Sequence, residues 1–101
     1  MKLIEFNLQH IIELCRRHKV RSLAVFGSIL TDRFNDRSDV DLLVDFEPID
    51  PDKEDYVRNY FDLQDSLESL LKRKVDLVVG SSLRNKYFIA NVNRTKQIIY
   101  G

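Results

Sequence analysis

An alternating run of acidic and apolar residues from 39 to 46 constrains the fold of this chain more than any other feature. Every second residue from Val40 to Phe46 is apolar, and the residues between them include Asp41. This alternation predicts a β-strand with one apolar face, and it places Asp39 and Asp41 together on the opposite face. Two such side chains lie about 7 Å apart, so their charges repel unless a cation offsets them.

Paired carboxylates on one strand face suit a divalent cation. Mg²⁺ takes oxygen ligands, and proteins typically hold it through one or two carboxylates together with substrate phosphates. The alternative interpretation is a solvated strand face on which Asp39 and Asp41 have no ligand. Asp45 is expected on the same strand face as Asp39 and Asp41 but lies further along the strand, and we interpret it as an exposed charge.

A Gly-Ser dipeptide precedes the acidic strand. Gly27 and Ser28 end an apolar run over residues 23–26, and a spacer over residues 29–38 separates them from Asp39. Glycine permits close approach of the backbone to a ligand. A serine at a helix start offers a hydroxyl beside free N–H groups, which suits a phosphate. The combined pattern predicts a site for a metal ion and a phosphate.

Gly27-Ser28, the spacer and Asp39-Val40-Asp41 together resemble the signature of nucleotidyltransferases with a DNA polymerase β-like palm. Within this superfamily the chain is most similar to the minimal nucleotidyltransferase (MNT) domains. A later apolar segment carries Asp76 at the position of the family's third carboxylate. The resemblance covers nearly the whole chain. It implies an α+β (mixed α/β) fold, with a mixed, partly antiparallel sheet of about four strands flanked by helices.

The resemblance also implies a role for each site residue. Asp39, Asp41 and Asp76 would be the catalytic carboxylates and the metal ligands, and Asp76 would help to activate the acceptor hydroxyl. Gly27 and Ser28 would hold the phosphates of the nucleotide. The implied cofactor is Mg²⁺, as two ions, and the implied donor is ATP. Mg²⁺ and Mn²⁺ are not distinguished at this stage.

Two alternatives to these roles are open. Asp76 lies in an apolar segment, where an unpaired charge is costly, and it could instead form an ion pair with Lys72, Arg73 or Lys74. Many family members carry arginines directly after Gly-Ser, whereas residues 29–32 here read Ile-Leu-Thr-Asp. Arg33 or Arg37 would have to reach the triphosphate from the following loop, or else both are solvated loop charges.

The implied function is transfer of AMP from ATP to a hydroxyl acceptor. MNT proteins are often paired with HEPN-domain toxins and act as antitoxins that adenylylate a tyrosine on the toxin, so a HEPN-type partner is expected. The alternative is a non-catalytic antitoxin or binding module that acts by forming a stoichiometric complex. A homo-oligomer is also possible.

A third function, RNA binding, would use the basic cluster over residues 16–21. The whole chain has 16 basic and 16 acidic residues, and this balance argues against a surface built for nucleic acid.

Length and composition indicate the class of protein. A chain of 101 residues predicts a single domain over residues 1–101. No apolar run approaches the ~20 residues that span a bilayer, and residue 1 is not followed by the apolar core of a signal peptide. The single cysteine excludes an internal disulfide. We therefore expect a cytoplasmic protein without membrane contact.

Periodicity and capping signals predict the element order. Helices are expected over residues 7–18, 51–72 and 83–93, and strands over residues 21–26, 39–46 and 75–79. The expected N-terminal signals of the helices are Asn7, Asp50 with Pro51, and Ser81 or Ser82. Residues 96–100 fit either a fourth strand or a continuation of the last helix. His10 and His18 are expected at the surface, and Cys15 in the core.

Overall fold

The computed structural model describes residues 1–48 and 53–101. Helices α1 (Lys2–Arg17), α2 (Lys53–Leu71) and α3 (Lys86–Thr95) accompany strands β1 (Val20–Phe26), β2 (Val40–Phe46), β3 (Val75–Val79) and β4 (Gln97–Tyr100). Short 3-10 helices follow two of the strands, at Gly27–Leu30 and Gly80–Ser82. Across these residues no helix has the length and apolar character that crossing a membrane requires.

The four strands form one mixed sheet in the order β3-β2-β1-β4, which confirms the predicted α+β class. Strand β1 pairs antiparallel with both β2 and β4, whereas β2 pairs parallel with β3. A parallel pair needs a long crossover connection, and α2 lies in the connection between β2 and β3. The start of β2 therefore has the end of β1 on one side and the start of β3 on the other.

The main core lies on the face of the sheet that α1 and α2 cover. The apolar residues of β2 point into it, and Val40, Leu42 and Val44 are each at most 1% exposed. The helices contribute a matching set of buried side chains: Ile4, Ile11, Cys15, Leu63, Leu67 and Leu71. The predicted alternation of the strand and the predicted burial of Cys15 are confirmed.

Helix α3 covers part of the opposite face. Its buried residue Val92 packs against Ala24 and Phe26 of β1 and Leu43 of β2. Leu43 and Asp41 are two residues apart on β2 and so point to the same face of the sheet. Helix α3 and the acidic residues therefore share this face. The site predicted from the sequence is therefore bordered by a helix rather than lying on a bare sheet.

Several predicted helix starts are wrong. Helix α1 begins before Asn7, whose side-chain amide donates to the Leu3 carbonyl at 2.8 Å. Helix α3 is capped by Asn85, whose Oδ1 accepts from the Phe88 N–H at 3.0 Å, because residues 80–82 form a 3-10 helix of their own. The predicted signals at residues 50 and 51 lie outside the described residues. Residues 97–100 form a strand rather than a continued helix.

The prediction that His18 lies at the surface is also wrong. Its side chain is buried, with Nδ1 at 2.7 Å from the Leu14 carbonyl and Nε2 at 2.7 Å from Asp62 Oδ2. The Asn59 amide donates to the His18 carbonyl at 2.8 Å. These contacts join the end of α1 to α2, so His18 helps to fix the two helices that cover the core.

Candidate active site

Asp39, Asp41 and Asp76 form an acidic cluster, and Asp41 lies at its centre. It pairs with Phe26 of β1 on one side and with Asp76 of β3 on the other. Burial raises the pKa of Asp41, and the negative charges of Asp76 and then Asp39 raise it further. Asp39 directly precedes β2, and both it and Asp76 are exposed. The structure therefore brings the three predicted carboxylates within electrostatic reach of one another.

Gly27 allows the Asp41 carboxylate to lie against the turn that follows β1. Its φ is +77°, in the left-handed region that favours glycine. A Cβ atom at this position would overlap Asp41 Oδ2. Ser28 follows in the 3-10 helix, where its carbonyl accepts hydrogen bonds from the Thr31 N–H at 2.9 Å and the Thr31 hydroxyl at 2.8 Å. The Gly-Ser turn and the acidic cluster therefore form one continuous site.

An open cleft of about 620 Å³ extends from this site toward α3. Gly27, Thr31 and Asp41 line one part of it, and Phe88 and Asn91 of α3 line another. Sequence reasoning did not assign α3 to the site. The sequence feature that could have indicated α3 is the spacing of Phe88 and Asn91, because residues i and i+3 lie on the same face of a helix.

Arg73 is a second residue that sequence reasoning missed. Its guanidinium donates to the carbonyls of Asn35 at 2.6 Å and Ser38 at 3.0 Å, and it lies 4.5 Å from the centre of the Phe34 ring. It also approaches Asp36 at 3.8 Å. Because this loop leads directly into Asp39, Arg73 holds the segment that delivers the first carboxylate to the site.

The alternative that Asp76 forms an ion pair is not supported. Arg73 turns to the loop before Asp39, and the ion pairs found among residues 1–48 and 53–101 do not include Asp76. The Asp76 charge contributes, after burial, to the raised pKa of Tyr60, whose hydroxyl donates to the Leu77 carbonyl.

The loop arginines lie outside the cleft. The side chains of Arg33 and Arg37 are exposed, and neither residue is part of the cleft lining. The Arg33 backbone N–H donates to Thr31 Oγ1 at 3.2 Å, and the Arg37 backbone N–H donates to Asn35 Oδ1 at 2.8 Å. In this conformation the two cations are loop charges rather than part of the site.

The donor set of the acidic cluster fits a hard cation. All three side chains offer carboxylate oxygens, and the negative charges of Asp76 and Asp39 add to burial in raising the pKa of Asp41. Within the described part of the chain, no three His, Cys, Asp or Glu side chains are arranged to hold a metal ion unaided. Asp39, Asp41 and Asp76 are the candidate ligands, and phosphate and water oxygens would have to complete the coordination.

Comparison with known proteins identifies the family. The model of the polymerase beta nucleotidyltransferase family matches residues 9–101, and the chain belongs to this family. The protein adenylyltransferase MntA of Thermococcus cleftensis is 42% identical over 76 residues, which are 75% of this chain and 72% of that protein. The predicted resemblance to minimal nucleotidyltransferases and the prediction of an enzyme are confirmed.

Two solved structures show the same fold. One, provisionally named a minimal nucleotidyltransferase, has a TM-score of 0.77 and 28% identity, and covers 95% of this chain and 92% of that one. The other is a toxin–antitoxin crystal structure with AMP-PNP, with a TM-score of 0.70 and 26% identity. That match covers 94% of this chain and 73% of the other.

We predict that Gly27→Ala lowers kcat/KM for nucleotidyl transfer on the order of 100-fold, because the new methyl group displaces the Asp41 carboxylate. The control is Gly80→Ala, which would press on Asp45 Oδ2 at 2.9 Å, at the other end of β2. It should retain most of the activity. Steady-state kinetics on both folded variants test this, and equal losses would contradict it.

We predict that Arg73→Ala raises the divalent-cation concentration needed for half-maximal activity roughly tenfold, because the loop before Asp39 loses its anchor. Arg73→Lys should not restore it, since an ammonium lacks the planar group that the Arg73 guanidinium places over the Phe34 ring while it bonds the loop carbonyls. Lys74→Ala, at the neighbouring exposed position, is the control. A metal titration of activity that is unchanged in Arg73→Ala would refute this role.

We predict that Asp41→Asn stabilises the metal-free protein at pH 7. Because the pKa of Asp41 is raised in the fold, folding disfavours its ionised form, and stability rises as pH falls through that pKa. The neutral amide should therefore raise Tm by roughly 1–3 °C at pH 7, and the gain should vanish near pH 3.

Scanning calorimetry in the presence of EDTA provides this measurement. Asp45→Asn, on the same face of β2, is the control and should not reproduce the pattern. A lower Tm for Asp41→Asn at pH 7 would show that the ionised carboxylate is stabilising after all.

Proposed function

We propose that this chain is a metal-dependent protein adenylyltransferase that transfers AMP from ATP to a tyrosine hydroxyl of a HEPN-type toxin, and that it acts as the antitoxin. The observation that carries the proposal is the position of Asp41, between the Gly27 turn and Asp76. This arrangement joins the turn that borders the open cleft to a set of oxygen ligands. The relative named protein adenylyltransferase MntA supports the same reaction class.

Each site residue has a proposed role. Asp39, Asp41 and Asp76 would hold Mg²⁺, which when bound neutralises the negative charge that develops on the phosphates. Ser28 and the backbone N–H groups beside it would contact the β- and γ-phosphates. Gly27, which has no side chain, lets the Asp41 carboxylate lie directly against the turn where the phosphates would bind. Asp76, exposed at the sheet surface, would accept the proton of the acceptor hydroxyl.

The proposed step is a direct displacement. A bond forms between the tyrosine oxygen and the α-phosphorus, and the bond from that phosphorus to the oxygen bridging to the β-phosphate breaks. Pyrophosphate leaves with that bonding pair, and the tyrosine proton passes to Asp76. No side chain of the enzyme becomes covalently modified, so the protein contributes binding, alignment and proton transfer.

The openness of the site supports a macromolecular acceptor. Asp39 and Asp76 are exposed, and the cleft is open rather than enclosed, so a side chain of another protein can approach. One solved relative is a toxin–antitoxin structure with AMP-PNP, which supports both the ATP donor and a toxin partner. Since ATP and such a partner are cytoplasmic, we propose the cytoplasm as the compartment.

A second candidate function is neutralisation of the partner by binding alone. The observation that favours it is the absence of arginine at residues 29–32, together with the exposure of Arg33 and Arg37 away from the cleft. A triphosphate would then meet fewer cations than in many family members. This function predicts that the carboxylates are dispensable for protection.

The deciding experiment uses ATP labelled on the α-phosphate, Mg²⁺ and, as the acceptor, the product of the gene adjacent to the one that encodes this chain. Wild-type protein should transfer label to the partner, and peptide mapping should locate it on a tyrosine. The Asp39→Asn/Asp41→Asn variant should lose at least about 1,000-fold in rate, since removing both carboxylates removes the metal.

Asp45→Asn is the matched control, because it removes a carboxylate from the same strand face outside the cluster. It should label the partner at close to the wild-type rate. Absence of label with wild type, while a stable complex forms and cells are protected by the double variant, would establish the binding function instead.

A further inference from the structure

One face of α3 borders the cleft through side chains whose chemistry is not used by the proposed metal and phosphate contacts. Phe88, Asn91, Val92 and Thr95 follow the spacing i, i+3, i+4, i+7, and all four line the cleft. Val92 is buried against the sheet, whereas the ring of Phe88 is 39% exposed. A partly exposed aromatic ring next to an amide is a surface that suits a planar polar ligand.

We propose that this face of α3 is the nucleobase subsite of the enzyme, and that Phe88 and Asn91 select adenine. The inference rests on the proposed function, since it assumes that a nucleoside triphosphate occupies the cleft. Gly27 and Asp41 line the same cleft as Phe88, so a nucleotide with its phosphates at the Gly-Ser turn can extend its base toward α3.

The Phe88 ring is held in place for stacking. It makes an edge-to-face contact with Phe26, with ring centres 6.0 Å apart and planes at 81°. Phe26 is itself buried at the end of β1, next to Gly27. Stacking on an aromatic ring stabilises any base, so Phe88 supplies affinity without selecting among bases.

Selection comes from Asn91, because its amide is oriented by a neighbour. The Arg94 guanidinium donates to Asn91 Oδ1 at 3.0 Å. This contact turns the amide oxygen toward Arg94 and leaves the amide nitrogen available as a donor. Among the described residues, no acceptor for that nitrogen was found. The amide therefore offers one donor, and an oxygen that can accept a second bond.

One donor beside one acceptor matches adenine and not guanine. On the edge that carries N7, adenine presents an N7 acceptor and an N6 donor, which is the bidentate partner of an asparagine amide. Guanine presents two acceptors, N7 and O6, on the same edge. The amide oxygen would face O6 without a hydrogen atom between them, so guanine is disfavoured there.

The test is calorimetric binding of three probes in the presence of Mg²⁺: α,β-methylene ATP, α,β-methylene GTP and inorganic tripolyphosphate. Wild-type protein should bind the ATP analogue about tenfold more tightly than the GTP analogue. Phe88→Ala should weaken both analogues roughly tenfold and leave tripolyphosphate unchanged. Asn91→Leu should remove the preference between the two bases and also leave tripolyphosphate unchanged.

Tyr87→Ala is the matched control, because Tyr87 is an 89% exposed aromatic residue of the same helix outside the cleft lining. It should bind all three probes like wild type. If Phe88→Ala does not fold, the exposed Asn91→Leu carries the test alone.

Two results would overturn the inference, and they are distinguishable. Analogue binding that is unaffected by Phe88→Ala and Asn91→Leu but weakened by Asp39→Asn/Asp41→Asn would leave the proposed function intact and place the base elsewhere. Wild-type protein that binds neither the analogues nor tripolyphosphate would overturn the proposed function together with the subsite.

Discussion

The close approach of three negative charges on one sheet face is the constraint on which this structure depends. Asp41 lies between Asp39 and Asp76 in a partly desolvated position, and its pKa is raised as a result. An isolated strand would relieve this repulsion by moving. Here β2 is an inner strand, hydrogen-bonded on both sides, and its other face is packed under α1 and α2. The core therefore offsets an electrostatic cost that the site imposes.

The sequence was informative where a local pattern has a single structural meaning. Alternation in β2 separates Val40, Leu42 and Val44 from Asp41 whatever the neighbouring strands are, because successive side chains of one strand point to opposite faces. Helix starts were less predictable. Ser81, Ser82 and Asn85 are all capping residue types, and only the three-dimensional structure shows that the first two belong to a 3-10 helix.

Contacts between distant parts of the chain could not be predicted from periodicity. His18 is buried because Asp62, 44 residues away, meets its ring. Arg73 is adjacent in sequence to the segment containing Asp76, which suggested an ion pair, yet it bonds the carbonyl of Ser38, 35 residues away. In both cases a polar side chain serves to join two elements, and its partner depends on how those elements pack.

The register between β2 and β3 limits the insertions and deletions that this protein tolerates. Asp41 is paired with Asp76 while the residues next to both, among them Val40 and Val75, are buried. A slip of one residue would turn carboxylates into the core and expose the valines. Insertions or deletions inside these strands should therefore abolish folding outright. Gradual evolutionary tuning of the activity is left to the turns and to α3, which can vary without shifting the alignment of the strands.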